Sequence, residues 1–459
     1  MCGLNYTYGS DKQTIDLMNT TIAHRGTQPG KTLKIGRHNF GHVRLPIQGL
    51  DERFDQPYRY HELTFIFVGE IYNYRDFRLM NGKLPDSDIE VLAHQFYTRG
   101  SNCLYEFDWM GHFIVHDSDH PDSVRLFTDI LSKKPVYLHS PSGSVSSEIK
   151  ALSPMAGGQF DELYFSTVRK FGYRYDNRTP YRDIHSIPPR SEVRIRKGRV
   201  TECRQYETYR PDRVPRGLRQ KLSQAVKNRM VSDKPIAILL SGGLDSSIIY
   251  KLALEHDKHL NLYHVDNGEE EFLDYLKIPD SCSLTKISAG DNVDEQELLR
   301  WNEGPVDLGS VIPQLNLAKE INLSNFQVVL SGDGADELFG GYQRAQDYDS
   351  QYSDIYDELV YYHLPRLDKL MMSQTIELRC PFLARSVLDY ALNLPWHRRR
   401  SKESLKSAFA DLLPNEIIDR PKRPLKSSQV REQKLDWVRH LCDLYQTQTD
   451  FIKPKWRLL

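Results

Sequence analysis

PIAILLSGGLDSS, residues 235–247, joins the signature of a buried strand to that of a helix start. The apolar run 236–240 has the length and composition of a strand covered on both faces. It stops at Ser241, Gly242 and Gly243, where two glycines permit a tight turn and close approach of the backbone to a ligand. Leu244 then opens a helical pattern through Ile248, Ile249, Leu252 and Ala253. A strand turning through glycines into a helix aims backbone N–H groups and a positive dipole end at one spot, and the anion expected there is phosphate or pyrophosphate. Asp245 alone would repel a phosphate, so its presence calls for Mg²⁺ bridging carboxylate and phosphates. The bland alternative is a strand-to-helix turn with hydroxyl caps, and the sequence downstream weighs against it.

Bulk properties narrow the class. At 459 residues the chain accommodates two or three domains, and a formal net charge of -1 argues against a general nucleic-acid binder. The longest apolar runs fall far short of a membrane span, and MCGLNYTYGSDK at the start has no basic region followed by an apolar one, so neither a membrane segment nor a secretory signal is expected. Cysteines at 2, 103, 203, 282, 380 and 442 are scattered, which speaks against structural zinc and a disulfide framework and for a reduced, cytoplasmic setting.

A second stretch, QVVLSGDGADELFGGY at 327–342, repeats the grammar of the first: apolar strand, Ser331-Gly332, then acidic residues entering a helix. Asp333, Asp336 and Glu337 crowd a glycine-rich turn, and clustered carboxylates there need a cation or donors. Runs at 262–265 and 283–287 read as further strands of a doubly wound parallel sheet, whose ligands sit beyond the C-terminal strand ends. That placement puts Leu239 before the loop and Val265 against an adenine. An amphipathic helix at 216–230 leads into the first strand, and 269–271 (Glu269 to Glu271) reads as a solvated turn.

The N-terminal half is β-rich, with strands at 33–44, 63–72, 112–116, 124–128, 136–138 and 193–195 and a helix near 89–97, which suggests an α+β sandwich. Met1-Cys2-Gly3 would expose Cys2 as the first residue once Met1 is removed, and a terminal cysteine carries a nucleophile beside its own α-amine as base. Residues 170–217 contain IPPRSEVRIRKGRV, a basic run that reads as a solvated face rather than a nucleic-acid surface, and 211–215 marks a domain boundary.

MCG, AHRG at 23–26, GHVRLPI at 41–47, GEIYN at 69–73, SDIEVL at 87–92, KKPVYL at 133–138 and SEIKAL at 147–152 follow in this order. Together with SGGLDSS and SGDGADELFGGY they resemble the glutamine-hydrolysing asparagine synthetases. The resemblance implies an Ntn-hydrolase-like αββα glutamine amidotransferase domain at 1–210. It also implies an adenine-nucleotide α-hydrolase-like doubly wound synthetase domain with a helical C-terminal part at 211–459. In the first, Cys2 would attack glutamine, Arg44 hold its α-carboxylate and Asp88 its α-amine, with Gly69 as oxyanion donor and Glu70 beside it. In the second, ATP would lie on Leu239, Ser241, Gly242, Gly243, Leu244, Asp245, Ser246, Ser247, Val265, Ser331 and Gly332. Mg²⁺ would lie on Asp245 and Asp336. Asp333 takes the position linked to forming an acyl-adenylate, and Lys402, from a K-x-x-L-K element, that of the lysine stabilising phosphate charge. Lys422 in Arg420-Pro421-Lys422 matches a further phosphate loop. Glu377 and Arg379 read as structural partners in the active-site wall, and the segment after 430 as a helix with a frayed end.

Three departures matter. Val68 stands where the family has an asparagine that donates to the oxyanion, and losing one such donor costs on the order of 10²–10³ in rate. The resemblance therefore implies a weakened glutaminase, or one in which a neighbouring donor substitutes. Thr128 precedes Asp129 where the family has arginine, and Ala384 replaces an aspartate. The substrates implied are glutamine, aspartate and ATP, with a homodimer by family alone and neither nucleic acid nor membrane as partner. A related amidotransferase or lactam-forming enzyme acting on another carboxylate, a tRNA-modifying ATPase and a degenerate binding protein are the alternatives. The second lacks its cysteines and basic surface, and the third is opposed by intact Asp245, Asp336 and Lys402.

Overall fold

The computed structural model describes residues 2–80, 82–206, 216–266, 268, 270–288, 294–306, 310–342, 357–421 and 434–447. The boundary expected at 211–215, Glu269, and Lys422 lie outside the described residues. The first strands are β1 (Gly3–Tyr8), β2 (Lys31–Ile35), β3 (His38–Val43), β4 (Tyr58–Tyr60), β5 (Leu63–Ile71) and β6 (Trp109–Asp117). Then come β7 (Ser123–Thr128), β8 (Tyr137–His139), β9 (Ser144–Ser146), β10 (Ile184–Ser186), β11 (Ser191–Arg196) and β12 (Arg199–Gln205). They build two six-stranded sheets, β10-β8-β9-β1-β3-β2 and β12-β11-β7-β6-β5-β4. The run 33–44 is not one strand: the chain reverses after β2 and the arms pair, Ile35 opposite His38.

Alternation along β5 explains the layering. Ile66 and Val68 point into the core shared with Leu4, Tyr6 and Phe40 of the facing sheet. Leu63, Phe65, Phe67 and Ile71 point the other way, under Ile89, Leu92 and Phe96 of helix α2. Helix α1 (Lys12–Thr21), capped by Asp11, covers the first sheet with Ile15 and Met18, and α2 (Asp88–Arg99) covers the second. A strand buried on both faces needs both sets apolar, and the 39% hydrophobic chain spends its aromatics there. The result is the expected αββα sandwich. Helices α1 and α3 (Glu162–Phe171) carry no motif and are absent from the sequence reading.

The C-terminal half is a five-stranded sheet ordered β15-β14-β13-β16-β17, with every pairing parallel. Its strands are β13 (Ile236–Leu239), β14 (Asn261–Asp266), β15 (Ser283–Ser288), β16 (Val328–Leu330) and β17 (Glu377–Arg379). Helix α4 (Leu218–Arg229) precedes β13, and α5 (Leu244–His256), apolar almost all round, is buried against the sheet. The three residues of β17 carry too short a pattern to be read as a strand from sequence.

The two halves share one core: Leu45, Ile47, Ile130 and Leu131 pack in the same cluster as β13 and β16. A buried ionic network crosses the seam. Arg25, fully covered, donates to Glu148 (3.0 Å) and to Asp368 (3.0 Å), and Lys134 reaches Asp368 at 3.1 Å. The helix expected after 430 is Lys434–Thr447, and it docks on the first half: Val438, Leu441, Cys442 and Tyr445 pack with Tyr164, Phe165 and Val168 of α3.

Candidate active site

The C-terminal ends of β13, β14 and β16 open on one edge, and the predicted nucleotide residues meet there. Leu239 closes β13, and the chain turns through Ser241, Gly242 (φ +71°) and Gly243 before Leu244 starts α5. The hydroxyls hold the turn: Ser241 N donates to Ser246 Oγ (3.1 Å), the two seryl oxygens lie 2.9 Å apart, and Ser247 N donates to Gly243 O (3.0 Å). Val265 lies near the end of the neighbouring β14. From β16, Ser331 Oγ donates to Asp333 Oδ2 at 2.7 Å, and Gly332 lies so close to Asp245 that a Cβ there would sit 3.0 Å from the aspartate's own.

Lys402 reaches into this edge from the far end of the chain. Its ammonium lies 2.5 Å from Asp245 Oδ2 and 2.5 Å from Asp336 Oδ1. Ser401 and Lys402 both take left-handed backbone conformations (φ +56° and +59°), which cost energy in residues with a Cβ and recur at functional sites. Gly341 makes room: a Cβ there would lie 2.0 Å from Asp336 Oδ1 and 2.3 Å from Lys402 Cε. Glu337 is buried, and that burial, with the Asp336 charge beside it, pushes its carboxyl up to about 7 while Tyr342 donates to it at 2.6 Å.

Two carboxylates converging on one cation are hard oxygen donors of the kind Mg²⁺ takes. No set of three acidic, histidine or cysteine side chains converges as a metal cluster among the described residues. The donor set fits an ion that completes its shell with phosphate oxygens and water. Arg420, which donates to Ser241 O at 3.1 Å and stacks on Phe272, adds a cation at the loop.

The second group of predicted residues surrounds Cys2. Its thiol lies 3.9 Å from Leu45 O, and burial pushes it up to about 11, with Glu70 adding to the rise and Arg44 opposing it. Asp88, at the start of α2, accepts from Ile71 N (3.2 Å), and burial raises its carboxyl to about 6. Arg44 is already engaged: Nη1 donates to Asp51 O (3.1 Å) and to Asp55 Oδ1 (2.5 Å), and Nη2 donates to Gly49 O. Asp55 thus lies where a guanidinium would otherwise offer its fork, a contact the motif did not reveal.

Gly69 faces Gly111 across β5 and β6 with φ +145°, and a Cβ on it would meet Met110 O at 1.9 Å. Strand contact alone requires this glycine. Val68 is fully buried beside Cys2 in the inter-sheet core and offers no donor.

Glu377 and Arg379 are partners of each other, and Arg379 O accepts from Ser331 N at 3.0 Å beside the nucleotide edge. Arg379, fully buried, pairs with Glu377 (2.6 Å), donates to Arg229 O and Val231 O, and lies 3.7 Å from Glu70 of the Cys2 group. Their strand also touches the first half, where Lys134 Nζ donates to Leu378 O at 3.3 Å.

Comparison with known proteins places this arrangement. A family model described as Asparagine synthase matches residues 217–354 and 348–455, and one described as Glutamine amidotransferase domain matches 1–207. The chain belongs to the glutamine-hydrolysing asparagine synthetase family. Asparagine synthetase [glutamine-hydrolyzing] 3 of Bacillus subtilis is 26% identical, covering 90% of this chain and 84% of its own. The asparagine synthetase [glutamine-hydrolyzing] of Rattus norvegicus is also 26% identical, covering 98% and 88%. A solved structure of an allosteric regulatory enzyme of purine biosynthesis aligns with 63% of this chain and 80% of its own at 11% identity, with a TM-score of 0.35. The protein's class is that of the glutamine-dependent carbon–nitrogen ligases. No described helix is long and apolar enough to cross a membrane.

Proposed function

We propose that this family member makes asparagine from aspartate, ATP and glutamine. The observation that carries the reading is the Lys402 ammonium held between Asp245 and Asp336 at the edge where the SGGLDSS loop opens. A loop of N–H donors, a lysine and two carboxylates suit a triphosphate whose α-phosphorus is attacked. The aspartate β-carboxylate forms a P–O bond there, pyrophosphate leaves, and a β-aspartyl-adenylate remains. Lys402 would turn from the carboxylates to the phosphates and offset charge as it develops. Mg²⁺, held by Asp245 and Asp336, would supply further neutralisation. Asp333, oriented by the Ser331 hydroxyl, would position the carboxylate for attack.

At the other group, removal of Met1 would place the α-amine on Cys2 itself. The amine takes the thiol proton, sulfur attacks the glutamine amide, ammonia leaves, and water hydrolyses the thioester to glutamate. Asp88 and Arg44 would hold the amino acid, which requires Asp55 to yield Arg44. Ammonia then travels through the protein to the adenylate and displaces AMP. Transfer in the interior matters because ammonia in water at neutral pH is mostly ammonium, which is not a nucleophile.

Val68 and Asp55 favour a second reading, in which the same ligase uses ammonium better than glutamine. Pyrophosphate release with aspartate, measured once with glutamine and once with ammonium, separates the two. Turnover with both is expected, and Cys2→Ala should keep only the ammonium reaction. Ammonium turnover without glutamine turnover supports the second reading, and Val68→Asn should then restore part of the glutamine rate. If neither nitrogen source gives pyrophosphate, aspartate is not the acceptor.

A further inference from the structure

A cleft of about 450 Å³, mouth included, lies at the seam between the two halves, lined by residues outside both groups above. Tyr137, Tyr164 and Arg174 line it from the first half, and Tyr362, Arg366 and Lys369 from the second. Its charges are unevenly matched. Lys369 is neutralised by Glu303 at 3.0 Å, and Arg178 by Asp176. Arg366 has no carboxylate partner among the described residues: it is 8% exposed, its Nη1 donates to Ser310 Oγ at 2.7 Å, and its Nε meets no acceptor. Arg174 likewise makes no ion pair there; it donates to the carbonyls of Asp176 and Arg178 and to Ser186 Oγ.

A buried guanidinium without a counter-charge is costly unless a ligand provides one. The planar fork of arginine matches a carboxylate with two parallel hydrogen bonds. Ser310 also precedes the helix Val311–Leu323, whose N-terminus adds a favourable dipole for an anion. The tyrosine rings offer an apolar wall for the body of a small molecule, and Tyr173 and Tyr362 lie with centroids 4.5 Å apart.

We propose that this seam cleft binds a small carboxylate, seated on Arg366 with Arg174 on the opposite wall, so that its occupant touches both halves of the chain. Two sources share that chemistry. One is the unactivated carboxylate of the acceptor amino acid, since Arg366 lies within electrostatic reach of Tyr342, whose hydroxyl donates to Glu337 beside Asp336. The other is a separate carboxylate that acts as an effector. Neither requires the acceptor to be aspartate.

The test titrates the full chain with L-aspartate, L-glutamate and succinate, read by thermal shift and calorimetry, with Mg-ATP binding measured in parallel. At least one carboxylate should bind. Arg366→Gln should weaken it tenfold or more, Arg366→Lys less, and Arg174→Gln several-fold, with Mg-ATP affinity unchanged. If Arg366→Gln also raises the KM for the acceptor at unchanged kcat, the occupant is the acceptor. If carboxylate binding falls while the acceptor KM stays, the occupant is an effector. The proposal is overturned if the wild type binds none of the three, or if both Arg366 variants bind like the wild type. Because binding is read directly, these outcomes stand apart from whether aspartate yields pyrophosphate.

Discussion

Lys402 shows how one side chain can hold two carboxylates together at the edge where we propose that ATP binds. Between Asp245 and Asp336 its ammonium offsets two carboxylates that would otherwise repel each other across a dry edge. Lys402→Met should lower pyrophosphate release by about 10²-fold or more, the order expected when a preorganised charge is removed from a transition state. A smaller loss, with binding of ATP also intact, would move the lysine out of the reaction. Cys2 presents the opposite problem. Burial is the first cause of its raised value, so the thiol stays protonated through neutral pH and its thiolate fraction rises steadily toward about 11. In the chain that keeps Met1, alkylation of Cys2 by iodoacetamide should therefore climb roughly tenfold per pH unit from pH 7 to 10, following the thiolate fraction. A plateau below pH 9 would show a thiol activated before glutamine arrives.

Individual elements divide between those whose pattern declares them and those held by partners. β5 is apolar on both faces, so its run declares a buried strand while the two layers packed on it decide which residues face which core, and Gly69 interrupts it only because the backbone of β6 approaches too closely for a Cβ. The helix Lys434–Thr447 has the amphipathic spacing of any surface helix, and nothing in that spacing names α3 as its partner. Leu441 is fully buried in the contact. Leu441→Ala should cost about 2–5 kcal/mol, the range for a buried leucine truncated in a packed core, seen as a lower urea midpoint. A change within experimental error would mean that the helix docks loosely and the C-terminal segment stands apart from the first half.

On the scale of the whole molecule, Arg25 binds the halves together. It lies in the AHRG motif, yet its two charged partners come from 123 and 343 residues away. Arg25→Ala leaves Glu148 and Asp368 buried with one cation fewer, and should destabilise the chain by about 3–5 kcal/mol, as breaking a buried ion pair does. Denaturant unfolding with a probe in each half checks this: wild type should unfold both halves together, and the variant should lower both midpoints. If only one midpoint falls, the network belongs to one half and the seam is held by apolar contacts alone.

The order of the motifs and the strand-glycine-helix grammar are local properties of the chain. Motif resemblance implied the αββα layering, and the sequence by itself determined the doubly wound sheet and the meeting of Asp245 with Ser331, Gly332 and Asp336 at one sheet edge. It did so because neighbouring parallel strands must end on the same side. What lay beyond it depended on groups distant in sequence. The engagement of Arg44 by Asp55, the placement of Glu377 and Arg379 at the seam, and a guanidinium of Arg366 with no carboxylate partner among the described residues follow no spacing rule. An ion pair or an uncompensated charge is a property of the space around a side chain, and only the packed chain defines that space.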